Sequence, residues 1–131
     1  MIRILIVEDD LSIARANERL IRRAVTSAVE VVTTALGEVA IAELAIGGYD
    51  LVVSDFNLGG EATGADVLAA AGSTPFLFLS SDERIEDRGV PWLSKPCAPS
   101  ELRAAVLVLL DPPKIVIDVP FEDVLDVAGA A

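Results

Sequence analysis

Short apolar runs alternate with longer stretches of helical periodicity along most of the chain. Residues 2–7, 29–33, 49–54, 76–80 and 90–93 are runs rich in Val, Ile, Leu and Phe. Each is too short for a core helix and is bounded by turn-forming or acidic residues, so each predicts a strand buried on both faces. Between them, residues 11–27 set Ile13, Ala16, Leu20 and Ala24 near one face, opposite Arg15, Arg19, Arg22 and Arg23, with Asp10 placed to cap the helix. Residues 36–46 are Ala-rich and stop at Gly47-Gly48, and residues 64–71 stop at Gly72. The stretch 99–110 opens on Pro99, with Glu101 in its first turn.

Strand and helix that alternate about five times predict an α/β fold. The expected architecture is a doubly wound, five-stranded parallel sheet with right-handed crossovers and helices on both faces. In such sheets ligands bind beyond the carboxyl ends of the strands, where the strand order reverses. Two regions break the rhythm. Only nine residues, 81–89, separate the fourth and fifth strands, so the fourth helix is expected to be short or missing. After the last helix come Pro112-Pro113, an apolar run at 115–119 and Pro120. Residues 1–110 therefore form the expected domain, and 111–131 a C-terminal extension that reads as a frayed tail, an edge strand or a dimer arm.

Composition narrows the function. A chain of 131 residues, 53% hydrophobic and 24% charged, suits one domain with a continuous core. Ten basic against 21 acidic residues, a formal charge of −11, argue against nucleic acid and anionic membranes as partners. No apolar run approaches the roughly 18 residues of a membrane span, and charged residues begin at Arg3, so a cytoplasmic protein without signal peptide is expected. The single Cys97 cannot close an internal disulfide. With no histidine in the chain, most zinc sites and every Ser-His or Cys-His pair are excluded.

The polar residues at the strand ends carry the chemistry. The first strand runs into Glu8-Asp9-Asp10, the third into Asp55-Phe56-Asn57, the fourth into Ser80-Ser81 and the fifth into Ser94-Lys95-Pro96. Taken singly, each has an ordinary explanation: an acidic helix start, a turn aspartate, a serine turn, a surface lysine. If strands one and three are neighbours, however, two or three carboxylates converge. A pair of them about 4 Å apart repels by roughly 4 kcal/mol at an effective dielectric of about 20. Such a cluster calls for a cation, and carboxylates with water and a backbone carbonyl suit Mg²⁺, with Mn²⁺ able to substitute. Ser80 adds a hydroxyl, and Lys95 a point charge for a phosphate oxygen.

In this ordered set the sequence resembles the receiver domain of bacterial two-component response regulators. The resemblance implies that Asp55 is the phosphoacceptor and that Asp9, Asp10 and Asp55, with the main-chain carbonyl of Asn57, hold Mg²⁺, Asp10 matching the principal metal carboxylate. It implies that Ser80 hydrogen-bonds the phosphoryl group, that Lys95 pairs with the carboxylate and then a phosphoryl oxygen, and that Trp92 is a rotameric switch coupled to Ser80. Pro96 is the cis-favouring turn residue after the lysine. The implied partners are a histidine kinase or phosphotransfer protein that supplies the phosphodonor histidine, a downstream protein target, and a second copy in a homodimer. Beyond slow self-catalysed phosphorylation and dephosphorylation, no enzyme activity is implied.

The chain also departs from that pattern. Trp92 stands where the family usually has Tyr or Phe, and its alternative reading is a buried core tryptophan. Gly59 replaces the usual Pro, which predicts a more mobile loop after Asp55. The run Pro75-Phe76-Leu77-Phe78 with a compact loop into Trp92 looks like the atypical stand-alone receivers of alphaproteobacteria, although Leu79-Ser80-Ser81 departs from their Phe-Ala-Thr-Gly stretch. Cys97 is expected to pack. Two other functions compete with a single-domain response regulator: a receiver-like binding module that is never phosphorylated, and a small Mg²⁺-dependent phosphohydrolase with an aspartate nucleophile. The second lacks the expected Asp-x-Asp, since Asp9 is followed by Asp10 and Leu11.

Overall fold

The computed structural model describes residues 1–81 and 89–111. Five strands, β1 (Ile2–Val7), β2 (Val29–Thr34), β3 (Leu51–Asp55), β4 (Phe76–Ser80) and β5 (Trp92–Ser94), form one sheet in the order β2-β1-β3-β4-β5. Every pairing is parallel. The described helices are α1 (Leu11–Ala24), α2 (Gly37–Ile46), α3 (Gly64–Ala71) and α4 (Pro99–Leu110). The expected short or missing fourth helix falls on residues 82–88 and most of the C-terminal extension on 112–131, both outside the described residues.

Strand alternation divides the core into two layers. Ile4, Ile6, Leu51, Val53, Leu77 and Leu79 face Ile21 of α1 and Leu102 and Val106 of α4. Leu5, Val7, Val52, Phe76 and Phe78 face Ala40 of α2 and Val67 and Ala71 of α3. The sheet is thus wound on both sides, as the sequence rhythm predicts. Burial on both faces holds for β3 and β4, which are buried throughout, but not for the two edges. β2 is mostly half-exposed and β5 runs exposed, half-buried, exposed, because among the described strands each has a neighbour on one side only.

Helix ends follow the sequence signals closely. Asp10 Oδ1 accepts the backbone N–H groups of Ser12 at 2.9 Å and Ile13 at 3.2 Å, which satisfies two orphan donors of α1. Thr63 and Asp66 form a reciprocal capping box on α3, and Glu101 accepts the Ala98 N–H at the start of α4. Gly47 (φ 88°) and Gly72 (φ 58°) leave α2 and α3 in backbone conformations that suit glycine. The expected inner face of α1 is corrected. Ala14, Ile21 and Ala24 are buried and Leu20 packs half-buried against the same layer, whereas Ile13 and Ala16 are exposed, so the buried stripe centres on Ile21. It also stops at Ala24, where Val25 turns extended and its N–H closes on Ile21 O.

Candidate functional site

The order reverses around β1, which lies between β2 and β3, and the polar residues gather at the carboxyl ends of β1, β3 and β5. Backbone pairing runs one step past the regular strands: Glu8 N–H donates to Thr34 O at 3.0 Å, Phe56 N–H to Leu79 O at 3.1 Å, and Lys95 N–H to Ser80 O at 2.8 Å. Glu8, Asp55 and Lys95 are therefore fixed by the sheet and not by loose loops.

Alternation explains why these three meet. Ile4 pairs with Leu51 and Ile6 with Val53 on one sheet face. Two residues further along that face come Glu8 and Asp55. Leu93 packs into the same core layer, and Lys95 follows it by two. The Lys95 ammonium donates a short hydrogen bond to Glu8 Oε1 and one of 3.0 Å to Asp55 Oδ2. Asp55 Oδ1 in turn accepts the Asn57 N–H at 3.2 Å. Asp9 completes the group, since ligating oxygens of Glu8, Asp9 and Asp55 all lie within 4.8 Å of one another.

The electrostatics of this cluster are unbalanced. Three carboxylates face one ammonium, and Glu8, only 4% exposed, keeps Oε2 buried without a hydrogen-bond partner among the described residues. Burial pushes the Glu8 carboxyl up to about 7, against the opposing pull of Lys95 and with a further push from Asp55. Burial draws the Lys95 ammonium down, but its bonds to Glu8 and Asp55 outweigh that and raise it. A cluster with surplus negative charge, an orphaned buried oxygen and only oxygen donors is chemically suited to a hard divalent cation. A small hollow of about 140 Å³ opens onto Glu8 and Asp9 beside Leu11 and Thr34. A larger groove of about 400 Å³, lined by Ile13, Asn17, Leu79, Pro96 and Cys97, reaches Lys95 from the α1 side.

Not every residue singled out by sequence joins the cluster. Asp10 stands apart from it and spends Oδ1 on capping α1, so its helix-cap role is realised and the acidic group is Glu8, Asp9 and Asp55. Glu8 is the residue that sequence reasoning passed over. Its signal lay in the two-residue step Ile4-Ile6-Glu8 beside Leu51-Val53-Asp55, which needs the strand register to be read. Ser80, 1% exposed, ends β4 opposite Ser94 of β5. Trp92 pairs in register with Phe78 and is 39% exposed, which overturns its reading as a buried core residue. The Lys95–Pro96 peptide bond is cis. Cys97 packs half-buried against the α1 and α4 core layer, and burial raises its thiol above the usual range.

The loop after Asp55 is tied down on both sides despite Gly59-Gly60. Ala62 N–H donates to Glu38 Oε1 at 2.6 Å, and Thr63 is locked in its capping box. A Cβ on Gly59 would lie 3.3 Å from Asp9 Oδ2, so this loop passes directly over the acidic group.

Solved structures resemble this fold over most of the chain. The receiver domain of the hybrid histidine kinase CckA is 32% identical, with a TM-score of 0.69, over 82% of this chain and 98% of that one. The chemotaxis response regulator CheY4 of Vibrio cholerae is 27% identical, with a TM-score of 0.70, over 84% of this chain and 99% of that one. A response regulator receiver protein from Sinorhizobium medicae shares the fold at 23% identity and a TM-score of 0.73, over 85% of this chain and 95% of that one. No protein-family model matches the sequence, and no curated protein does.

Proposed function

Because the chain belongs to the response regulator receiver-domain family, we propose that it takes a phosphoryl group on Asp55 from a partner histidine kinase or histidine phosphotransfer protein. The observation that carries this reading is the convergence of Glu8, Asp9 and Asp55 with Lys95 on one sheet edge. In the transfer, an Asp55 carboxylate oxygen bonds to phosphorus as the phosphorus–nitrogen bond of the donor's phosphohistidine breaks. The donor imidazole leaves with the electron pair and takes up a proton, and Asp55 becomes an aspartyl phosphate. The chain has no histidine, so the donor comes from outside it.

Each residue has a part in that step. Lys95, held 3.0 Å from Asp55 Oδ2, offsets the repulsion between an approaching phosphoryl group and the carboxylate, then pairs with a phosphoryl oxygen. Asp9 and Asp55, with the Asn57 carbonyl and Glu8 alongside, would hold Mg²⁺, which supplies neutralising charge to the phosphoryl oxygens when bound. Asp10 has no part in this proposal, since it caps α1. Ser80 supplies a hydroxyl to the phosphoryl group, and Trp92 follows the change as a switch on β5. The chain then signals by protein contact in the cytoplasm, from the domain at 1–110, with 111–131 as an extension. Among the described residues, no helix is long and apolar enough to cross a membrane.

The test is intact-mass analysis after incubation with acetyl phosphate and Mg²⁺. A single phosphoryl adduct, lost in Asp55→Asn and on metal chelation, is the expected result. No adduct with any phosphodonor would favour a binding module that is never phosphorylated. Repeated turnover of a generic phosphate ester would favour a hydrolase.

A further inference from the structure

We propose that Glu38, on the first turn of α2, is a positioning residue for the Asp9–Asp55 site, clasping the loop after β3 and setting its distance from the acidic group. The inference rests on the reading of that site as the metal and phosphoryl site. Glu38 Oε1 accepts the Ala62 N–H at 2.6 Å. A Cβ on Gly60 would fall 2.9 and 3.0 Å from the two Glu38 oxygens, and a Cβ on Gly37 would fall 2.9 Å from both Ala62 Cβ and Ala62 O. Loop and helix are thus interlocked, with glycine on each side at the points of closest approach.

The same loop touches the site at its other positions. Asn57 N–H holds Asp55 Oδ1 at 3.2 Å, and a Cβ on Gly59 would lie 3.3 Å from Asp9 Oδ2. Residues 57 and 59 therefore meet the site carboxylates, while 60 and 62 meet Glu38. A shift of the clasp is passed on within one or two peptide units. A carboxylate suits this work, because a charged acceptor makes the stronger hydrogen bond and the N-terminal turn of α2 favours an anion. The helix makes no side-chain cap bond at Leu36, so the carboxylate in its first turn serves the loop.

The experiment compares wild type, Glu38→Ala, Glu38→Gln and Gly60→Ala in the full chain. Mg²⁺ affinity is read by titration calorimetry, phosphoryl incorporation from acetyl phosphate by intact mass, and folding by thermal melts in chelator. Glu38→Ala should weaken Mg²⁺ binding about 10-fold, the scale of a lost outer partner at a metal site. Glu38→Gln keeps the oxygen acceptor and should lie nearer to wild type. Gly60→Ala, which crowds the carboxylate, should follow Glu38→Ala, and it decides the matter alongside Glu38→Gln if Glu38→Ala fails to fold. Wild-type affinity in both alanine variants overturns the proposal, as does a Glu38→Gln defect equal to that of Glu38→Ala, which would mean bare charge and not the clasp. If wild type itself binds no Mg²⁺ and takes no phosphoryl group, the underlying reading of the site fails and this proposal falls with it.

Discussion

Where the strands begin, Arg3 is met from several directions. Its Nε lies 3.5 Å from Glu30, one of its terminal nitrogens donates to Gly47 O at 3.2 Å, its guanidinium sits 4.4 Å from the Tyr49 ring centre, and its backbone N–H donates to Asp50 at 2.8 Å. Tyr49 is paired in turn, its hydroxyl donating to Glu43 at 2.7 Å; burial, and then this bond, pushes that hydroxyl up to about 12. Where strands β1 and β3 end, three carboxylates again stand beside one cation, but Lys95 answers both Glu8 and Asp55, Asp9 stands beside them, and a Glu8 oxygen is buried with no partner among the described residues. The same sheet thus gives each of these carboxylates a partner at one end and leaves a buried carboxylate oxygen without one at the other. Charge that is matched adds to stability, whereas charge left unmatched costs stability and is kept where it does chemistry.

That contrast predicts effects of different size and opposite sign. The largest belongs to Lys95→Met in metal-free protein, which leaves two buried carboxylates without their cation and should cost about 3–5 kcal/mol in urea unfolding. A cost below about 1 kcal/mol would mean that the strand-end cluster is not charge-strained. Next comes pH. Glu8 is raised from 4.5 to about 7, so it holds its proton more tightly folded than unfolded. Its contribution is whole below pH 4.5, shrinks as pH rises and is gone past about 7, at most about 3 kcal/mol by linkage. Melts in chelator across that range should show Glu8→Gln with a smaller fall than wild type, and parallel curves would contradict the assignment.

Arg3→Ala tests the matched end. It removes a half-exposed ion pair and a cation–π contact, and should cost about 1–2 kcal/mol with little dependence on Mg²⁺. The smallest effect has the opposite sign. Asp9→Asn should stabilise metal-free protein by less than about 1 kcal/mol, because it relieves repulsion at an exposed position, and should then lose most of the Mg²⁺-induced rise in melting temperature. Destabilisation of the metal-free form by Asp9→Asn would erase the distinction between the two ends.

The winding of the fold was legible because its signals are local. Asp10, Pro99, Gly47 and Gly72 mark helix ends by their own chemistry, and β1 and β4 lie where their apolar runs lie. The edges were harder to read. β5 is shifted from the run at 90–93 to Trp92–Ser94, since an edge strand is defined by pairing with β4 and not by burial. The gathering of carboxylates at the ends of strands one and three was readable from strand order, but its membership was not. Choosing Glu8 over Asp10 depends on where β1 gives way to α1: strand alternation alone would put both on one face, but by position 10 the chain has left the strand and Asp10 is the cap of α1. Glu38 left no sequence signal, since its partner Ala62 contributes only a main-chain N–H.

The exposed edge strand has an optical consequence. Trp92 is the only tryptophan in the chain, and it stands 39% exposed three residues before Lys95. Its indole emission therefore reports one address without any label or competing fluorophore of its kind. The wavelength should be red-shifted relative to a fully buried indole, and a partner that covers β5 should move it toward the blue. Occupation of the strand-end cluster and coverage of the sheet edge can thus be followed in the same cuvette, one by calorimetry and the other by light.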